Sequence, residues 1–172
     1  MEIAPFCEIE ITGGPCPQPR PRATIRGGHA SVYEAAADHR IHNWKAYLMV
    51  AAQKAMAGRA PVKFPVRAVV LFRMWRPDNP PRWLVNKDMK RENPQLWKRN
   101  VELWRQPDAL IPHASRPDTS NLIKSVEDAL NTIVWADDAQ ICDMPLRKRY
   151  CMHGEPPGVT LRAYEARFPW LG

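Results

Sequence analysis

At 172 residues, with 45% hydrophobic content and 7 Trp, the chain is long enough to bury a core and too apolar for a disordered segment. A net charge of +7 and a pI near 9.5 fit a polyanionic partner, a signal that many unrelated basic proteins share. No apolar run approaches the ~18 residues of a membrane helix, and Glu2 and Glu8 stand where a signal peptide would carry basic residues.

One domain spanning 1–172 is expected. Ile3 to Ile11 alternates loosely and predicts a first strand, ended by Gly13-Gly14. In Pro15-Cys-Pro-Gln-Pro-Arg-Pro-Arg22 the alternate prolines forbid helix and favour an extended or polyproline II segment, from which Arg20, Arg22 and Arg26 project. That segment reads either as a stiff connector or as a phosphate-holding loop. Ser31 with Glu34 has capping-box spacing and predicts a helix from there to about Ala57, stopped by Gly58. Its apolar stripe is Ala37, Ile41, Trp44, Leu48, Ala51 and Ala55; His39, His42, Lys45 and Lys54 are expected at the surface.

Val66 to Trp75 is rich in β-formers and predicts a central strand, broken by Arg76-Pro-Asp-Asn-Pro-Pro-Arg82. Residues 82–106 interleave Trp83, Trp97 and Trp104 with Lys90, Arg91, Lys98, Arg99 and other charges. Such a stretch can grip phosphates while stacking bases, or it can be an amphipathic helix with packed indoles and solvated charges. Packing is the expectation for the tryptophans and DNA contact for Lys90, Arg91, Lys98 and Arg99. The stretch 77–115 looks like an insertion ahead of the segment that follows.

That segment, Arg116 to Ile141, carries the chemistry. Asp118, Thr119 and Ser120 are good helix N-caps, and Leu122, Val126, Ala129, Leu130 and Ile133 recur at helical spacing. Ser120, Lys124, Glu127 and Asn131 fall on the opposite side, with Asn121 and Asp128 beside them. Asp137-Asp138 then enters an alternating stretch. Carboxylates thus arrive from a helix start, a helix flank and a strand start, with one lysine among them. Hard oxygen ligands of this kind suit Mg²⁺, which activates water and stabilises charge on a phosphate. The bland alternative is that Asp118 caps the helix, Lys124 and Asp128 form a surface pair, and Asp137-Asp138 is a turn.

The pattern Pro-Asp-x-x-Asn-Leu-x-Lys, then Asp-Ala-Leu-Asn, then Asp-Asp-x-Gln-Ile resembles the RusA-like Holliday junction resolvase family. The resemblance implies a Mg²⁺-dependent endonuclease (Mn²⁺ able to substitute) that acts as a homodimer on branched DNA in recombination and repair. By position it assigns Asp118, Lys124 and Asp138 to catalysis and Asp118, Asp138 and Asp137 to metal, with Asn121 and Asp128 supporting. It also raises a DNA-phosphate role for Arg20 and Arg22. Ser120 replaces the family's second aspartate, so cleavage is weakened or lost, or another carboxylate compensates. Glu127 is the candidate, two helical turns on and about 10 Å along the axis; pairing with Lys124 is its alternative role.

After the motif, Gln140 to Met152 predicts a strand carrying Arg147, Lys148 and Arg149, and Val159 to Ala166 predicts the second arm of a hairpin with it. Together the elements predict an α+β fold, a mixed or antiparallel sheet with helices mainly on one face. Cys7, Cys16, Cys142 and Cys151 show neither C-x-x-C nor zinc spacing, and free thiols in a reducing cytoplasm are expected.

Overall fold

The sheet is built on its most apolar strand, β4 (Val66–Met74). The computed structural model describes residues 4–19, 22–26, 29–33 and 39–167, the side chains of 22–26 and 29–33 excepted. Val66, Ala68, Val70 and Phe72 alternate into the core from one face of β4. β7 (Gly158–Glu165) runs antiparallel along nearly all of it, with Val70 opposite Leu161 and Phe72 opposite Val159. β1 (Cys7–Thr12) lies antiparallel outside β7. The other edge of β4 is shared by β5 (Ile141–Asp143) and β6 (Leu146–Tyr150), both parallel to it. The result is a mixed α+β fold, as the sequence predicts.

Two helices close the core. α1 (His39–Met56) contributes Trp44, Leu48, Ala52 and Met56; α4 (Thr119–Leu130) contributes Leu122, Val126, Ala129 and Leu130. Val134 and the fully buried Trp135 complete it from the turn after α4. α1 ends where Ala57 and Gly58 take φ of 49° and 78°, the left-handed exit that glycine favours.

Three expectations are corrected. Ser31 does not start a helix: it lies in β3 (His29–Tyr33), which pairs with β2 (Arg22–Arg26), and α1 is described from His39. The β-branched and aromatic residues of Ala-Thr-Ile and Val-Tyr outweigh a two-residue spacing match; Glu34 lies outside the described residues. The strand predicted over 140–152 is a single 3-10 turn, Asp138–Gln140, followed by two short strands separated at Met144-Pro145. Finally, β7 does not form a hairpin with β6. It pairs with β4 and β1, because β4 offers an unbroken partner from Val66 to Arg73 whereas 141–150 is interrupted by Pro145.

Between β4 and α4 lie α2 (Lys87–Glu92) and α3 (Pro94–Arg105), capped by the side chains of Asn86 and Asn93. They sit on a second small core of Leu84, Trp104, Ala109, Ile111 and Tyr150. Trp104 is buried there, Trp97 is half-buried and Trp83 is exposed, so packing holds for Trp104 in full. The chain then runs beside β6, with Tyr150 N–H donating to Ile111 O and His113 N–H to Lys148 O, and so reaches α4. All four cysteines are free thiols.

Gly158 tests the β1–β7 ladder. A Cβ there would lie 2.1 Å from the Ile11 carbonyl oxygen. Gly158→Ala is therefore expected to destabilise the fold by about 2–3 kcal/mol, read as a lower urea midpoint at unchanged slope. A midpoint equal to the parent's would show that the two strands are not so close.

Candidate active site

The chain enters α4 through a clamp. Lys148 Nζ on β6 donates to the carbonyls of Ser115 and Pro117, each at 2.7 Å. Burial lowers the Lys148 pKa, and the charge of Asp118 opposes that shift. Asp118 occupies the N-cap position of α4 in extended conformation, yet its side chain makes no capping hydrogen bond. The bland reading of Asp118 as a cap therefore fails. Asp118 instead faces an open cavity of about 1150 Å³, shared with Asn121 and the Gly13–Pro19 loop.

α4 also holds that loop. Gln18 N–H donates to Asn121 O at 2.9 Å, and Ser125 Oγ lies 2.9 Å from Cys16 O and 2.7 Å from Leu122 O, which share its proton. The proline-rich segment is thus fastened to the first turns of α4. Its Arg20 lies outside the described residues; Arg22 opens β2, with its side chain outside the description.

Further along α4, Lys124 Nζ sits 3.0 Å from Asp128 Oδ1 and 3.6 Å from Asp138 Oδ2. The helix flank and the 3-10 turn ahead of β5 therefore meet at one ammonium. Lys45 of α1 reaches the other oxygen of Asp128 at 3.1 Å. This corrects the expectation that Lys45 is merely solvated: it is partly buried and ion-paired. Burial pushes the Asp128 carboxyl up, but hydrogen bonds from Lys124 and Lys45 more than reverse this, leaving its pKa below the ordinary value. The Lys124 pKa is raised, first by the hydrogen bond to Asp128.

Glu127 behaves differently. Burial raises its pKa; Lys124 opposes that, and the charges of Asp138 and Asp128 add to it. It forms no ion pair with Lys124 within 4 Å, so the simple i,i+3 pairing is not what the structure shows. Three carboxylates thus crowd one lysine. Ser120 is exposed in the first turn of α4, two turns toward the Asp118 end.

The Asp-Asp-x-Gln stretch divides its labour. Asp137 Oδ1 accepts from Ala139 N–H at 2.8 Å, and Gln140 Oε1 accepts from Asp137 N–H at 2.9 Å, a reciprocal cap on the 3-10 turn. Gln140 Nε2 donates to Val62 O and Phe64 O, tying that turn to the approach to β4. The turn holds Asp138 toward Lys124. Gln140, Lys45 and Lys148 hold these segments together by contacts that the sequence reading did not assign. Gln140 sits in the motif and was open to detection; the two lysines act across the fold and carry no local signal.

The structure brings together Lys124, Glu127, Asp128 and Asp138. It places Asp118 at the start of the same helix, facing Lys148, and Asp137 in the turn. Lys90, Arg91, Lys98 and Arg99 are exposed on α2 and α3 and take no part in this cluster. Lys90 Nζ lies 4.9 Å from the Trp97 ring centre, and Arg91 pairs with Asp88 and Glu92. Among the described residues, no three His, Cys, Asp or Glu side chains converge as a ready metal cage. The donors are all oxygens, and Mg²⁺ usually binds through only one or two carboxylates and keeps waters, so Asp118, Asp138 and Glu127 fit a hard cation better than a soft one.

Fold and site together define a small basic α+β protein with a carboxylate–lysine cluster where a helix flank meets a sheet edge. The family described as endodeoxyribonuclease RusA matches residues 12–162, and the chain belongs to that family. It is also similar to the uncharacterized protein YqaN of Bacillus subtilis (strain 168), 26% identical over 158 residues that cover 92% of this chain and 95% of that one. Among the described residues, no helix is long and apolar enough to cross a membrane.

Proposed function

We propose that this protein is a Mg²⁺-dependent, structure-specific endonuclease that resolves Holliday junctions and related branched DNA in recombination and repair, acting in the cytoplasm as a homodimer. The observation that carries the reading is the meeting of Lys124 with Asp138 and Asp128 beside a half-buried Glu127. Family membership supplies the DNA substrate class.

Lys124 is half exposed, so its ammonium can turn from Asp138 to a phosphate oxygen and hold the charge that develops there. Lys45 keeps Asp128 in place while that happens. Asp118, Asp138 and Glu127 would hold the cation, which when bound acidifies a water and neutralises phosphate charge. Paired symmetric nicks need two such sites related by the junction's own symmetry, which is the physical case for a two-fold dimer.

Incubating the protein with a labelled four-way junction in Mg²⁺, Mn²⁺, Zn²⁺ or EDTA tests this. Cutting is expected in Mg²⁺ and Mn²⁺, little in Zn²⁺ and none in EDTA. Junction binding without cutting in any metal would instead support a second reading, favoured by Ser120: a junction-binding protein that no longer cleaves.

The exposed Lys90, Arg91, Lys98 and Arg99 belong to the segment 77–115, which we read as a basic insertion that grips DNA arms. Each phosphate contact on duplex contributes about 0.9 to the slope of log K against log salt. Replacing all four with Ala should flatten that slope by about two to four units, and an unchanged slope would remove α2 and α3 from the interface.

A further inference from the structure

A second cavity, of about 620 Å³, opens beyond the ends of β4 and β6. At ~3.3 Å per residue, Cys151 on its wall lies about 10 Å along the strand from Lys148. Its walls come from the end of β4, the end of α3 and the turn that leads into β7. Nothing in the cluster around Lys124 uses it.

Two neighbours on its rim stand out. Trp75 is 72% exposed, the most exposed of the large hydrophobic side chains on the described surface. Arg76, the next residue, is partly buried. Its guanidinium lies 4.6 Å from the Trp104 ring centre, and Nη2 donates to the carbonyls of Trp104 and Gln106. The other two nitrogens, Nε and Nη1, are buried without an acceptor. Burial lowers the Arg76 pKa with no carboxylate opposing it.

The carboxylates nearby do not supply the missing charge. Glu155 is taken by Arg149 at 2.5 and 2.7 Å and by Met152 N–H at 2.8 Å. Asp78 lines the cavity but forms no ion pair with Arg76. Arg105, exposed at the end of α3, adds a second cation to the same wall. An indole open to solvent beside an arginine without a counter-anion is the combination that takes an unpaired nucleotide: the ring stacks the base and the guanidinium side receives the phosphate.

We infer that this cavity is a second nucleic-acid subsite, which takes an unpaired nucleotide of the branched substrate with its base on Trp75 and its backbone phosphate at the exposed Arg105, the uncompensated charge of Arg76 lying behind the same wall. The choice of nucleic acid over another polyanion rests on the proposed action on branched DNA. The subsite itself can be tested without cleavage.

The test is fluorescence anisotropy with labelled oligo-dT in EDTA. Trp75→Ala removes an exposed side chain and leaves both cores intact, and it should weaken binding about tenfold; Trp75→Phe should keep most of it. Arg105→Ala should lower the salt slope by about 0.7, one single-strand phosphate contact. Oligo-dT binding by Trp75→Ala equal to the parent's would overturn the subsite. So would a poly-glutamate peptide whose binding, rather than the oligonucleotide's, falls with Trp75→Ala, since that would assign the cavity to an acidic protein partner. A chain that cuts junctions yet shows no Trp75 dependence loses the subsite and keeps the nuclease; Trp75-dependent binding by a chain that never cuts does the reverse.

Discussion

Asp118→Asn and Asp138→Asn should each reduce cutting of a four-way junction by at least about a hundredfold, with junction binding unchanged or tighter. Loss of groups that merely orient metal ligands already costs 10–100-fold, so loss of a ligand should cost at least as much. Asp118 is not consumed as a helix cap, and Asp138 is held toward Lys124 by the capped turn of Asp137 and Gln140. Removing either charge also lessens repulsion of DNA phosphates, which is why binding should not suffer. Neither change should unfold the protein: Asp118 is exposed, Asp138 is partly exposed, and neither contributes to the buried core. Junction cleavage and band-shift assays on the same preparations check both halves. Parental cutting by either variant would show that its carboxylate is a turn residue and no more.

The second large effect is expected at Glu127. By the resemblance, Ser120 stands where an aspartate is expected, so the site is one carboxylate short, and Glu127 lies in the common field of Asp138, Asp128 and Lys124. If Glu127 compensates, Glu127→Gln should lose most cutting, by about tenfold or more, and the double variant with Ser120→Asp should regain part of it. Mn²⁺ binding followed by electron paramagnetic resonance gives a readout apart from activity and should weaken in parallel. Stability should move the other way. The Glu127 pKa is raised in the folded state, so its ionised form disfavours folding above that pKa, and the penalty vanishes below the unfolded value. Glu127→Gln should therefore be as stable as the parent or more so at pH 7 without metal, the difference shrinking as pH falls through the raised folded-state pKa and gone below the ordinary value of about 4.5. Parental cutting and parental Mn²⁺ binding by Glu127→Gln would leave Asp118 and Asp138 as the carboxylates of the site.

What the sequence discloses here is local. The apolar stripes of α1 and α4, and the run of β-formers in β4, are periodic within one element: Ile41, Trp44 and Leu48, and Leu122, Val126, Ala129 and Leu130, are buried as expected, whereas Ala51 and Ala55 are half-buried beside the buried Ala52 and Met56, Ile133 lies in the turn after α4, and Ala37 lies outside the described residues. The spacing from Asp118 to Asp138 likewise anticipates that Lys124 meets Asp138, because helix and strand are joined by one short turn around Trp135. Pairing between distant segments was not legible. Nothing near Lys45 announces Asp128, 83 residues away. Nothing in β6 announces that Lys148 clamps the entry to α4. The Ser31 capping-box match failed for the converse reason: a short motif says little until the strand pairing of its neighbours is known. Pro145 was a local sign of the break between β5 and β6, and the alternation around it concealed that sign.

On the proposed reading, the cluster around Lys124 cuts DNA at a branch. The most direct test of this labels each strand of a four-way junction in turn, beside a matched linear duplex, and follows both with the parent protein in Mg²⁺. Paired nicks at symmetry-related positions on two opposed strands, with the duplex intact, are the predicted result. Equal cutting of junction and duplex, or no nick in the junction at protein concentrations that saturate binding, would contradict it.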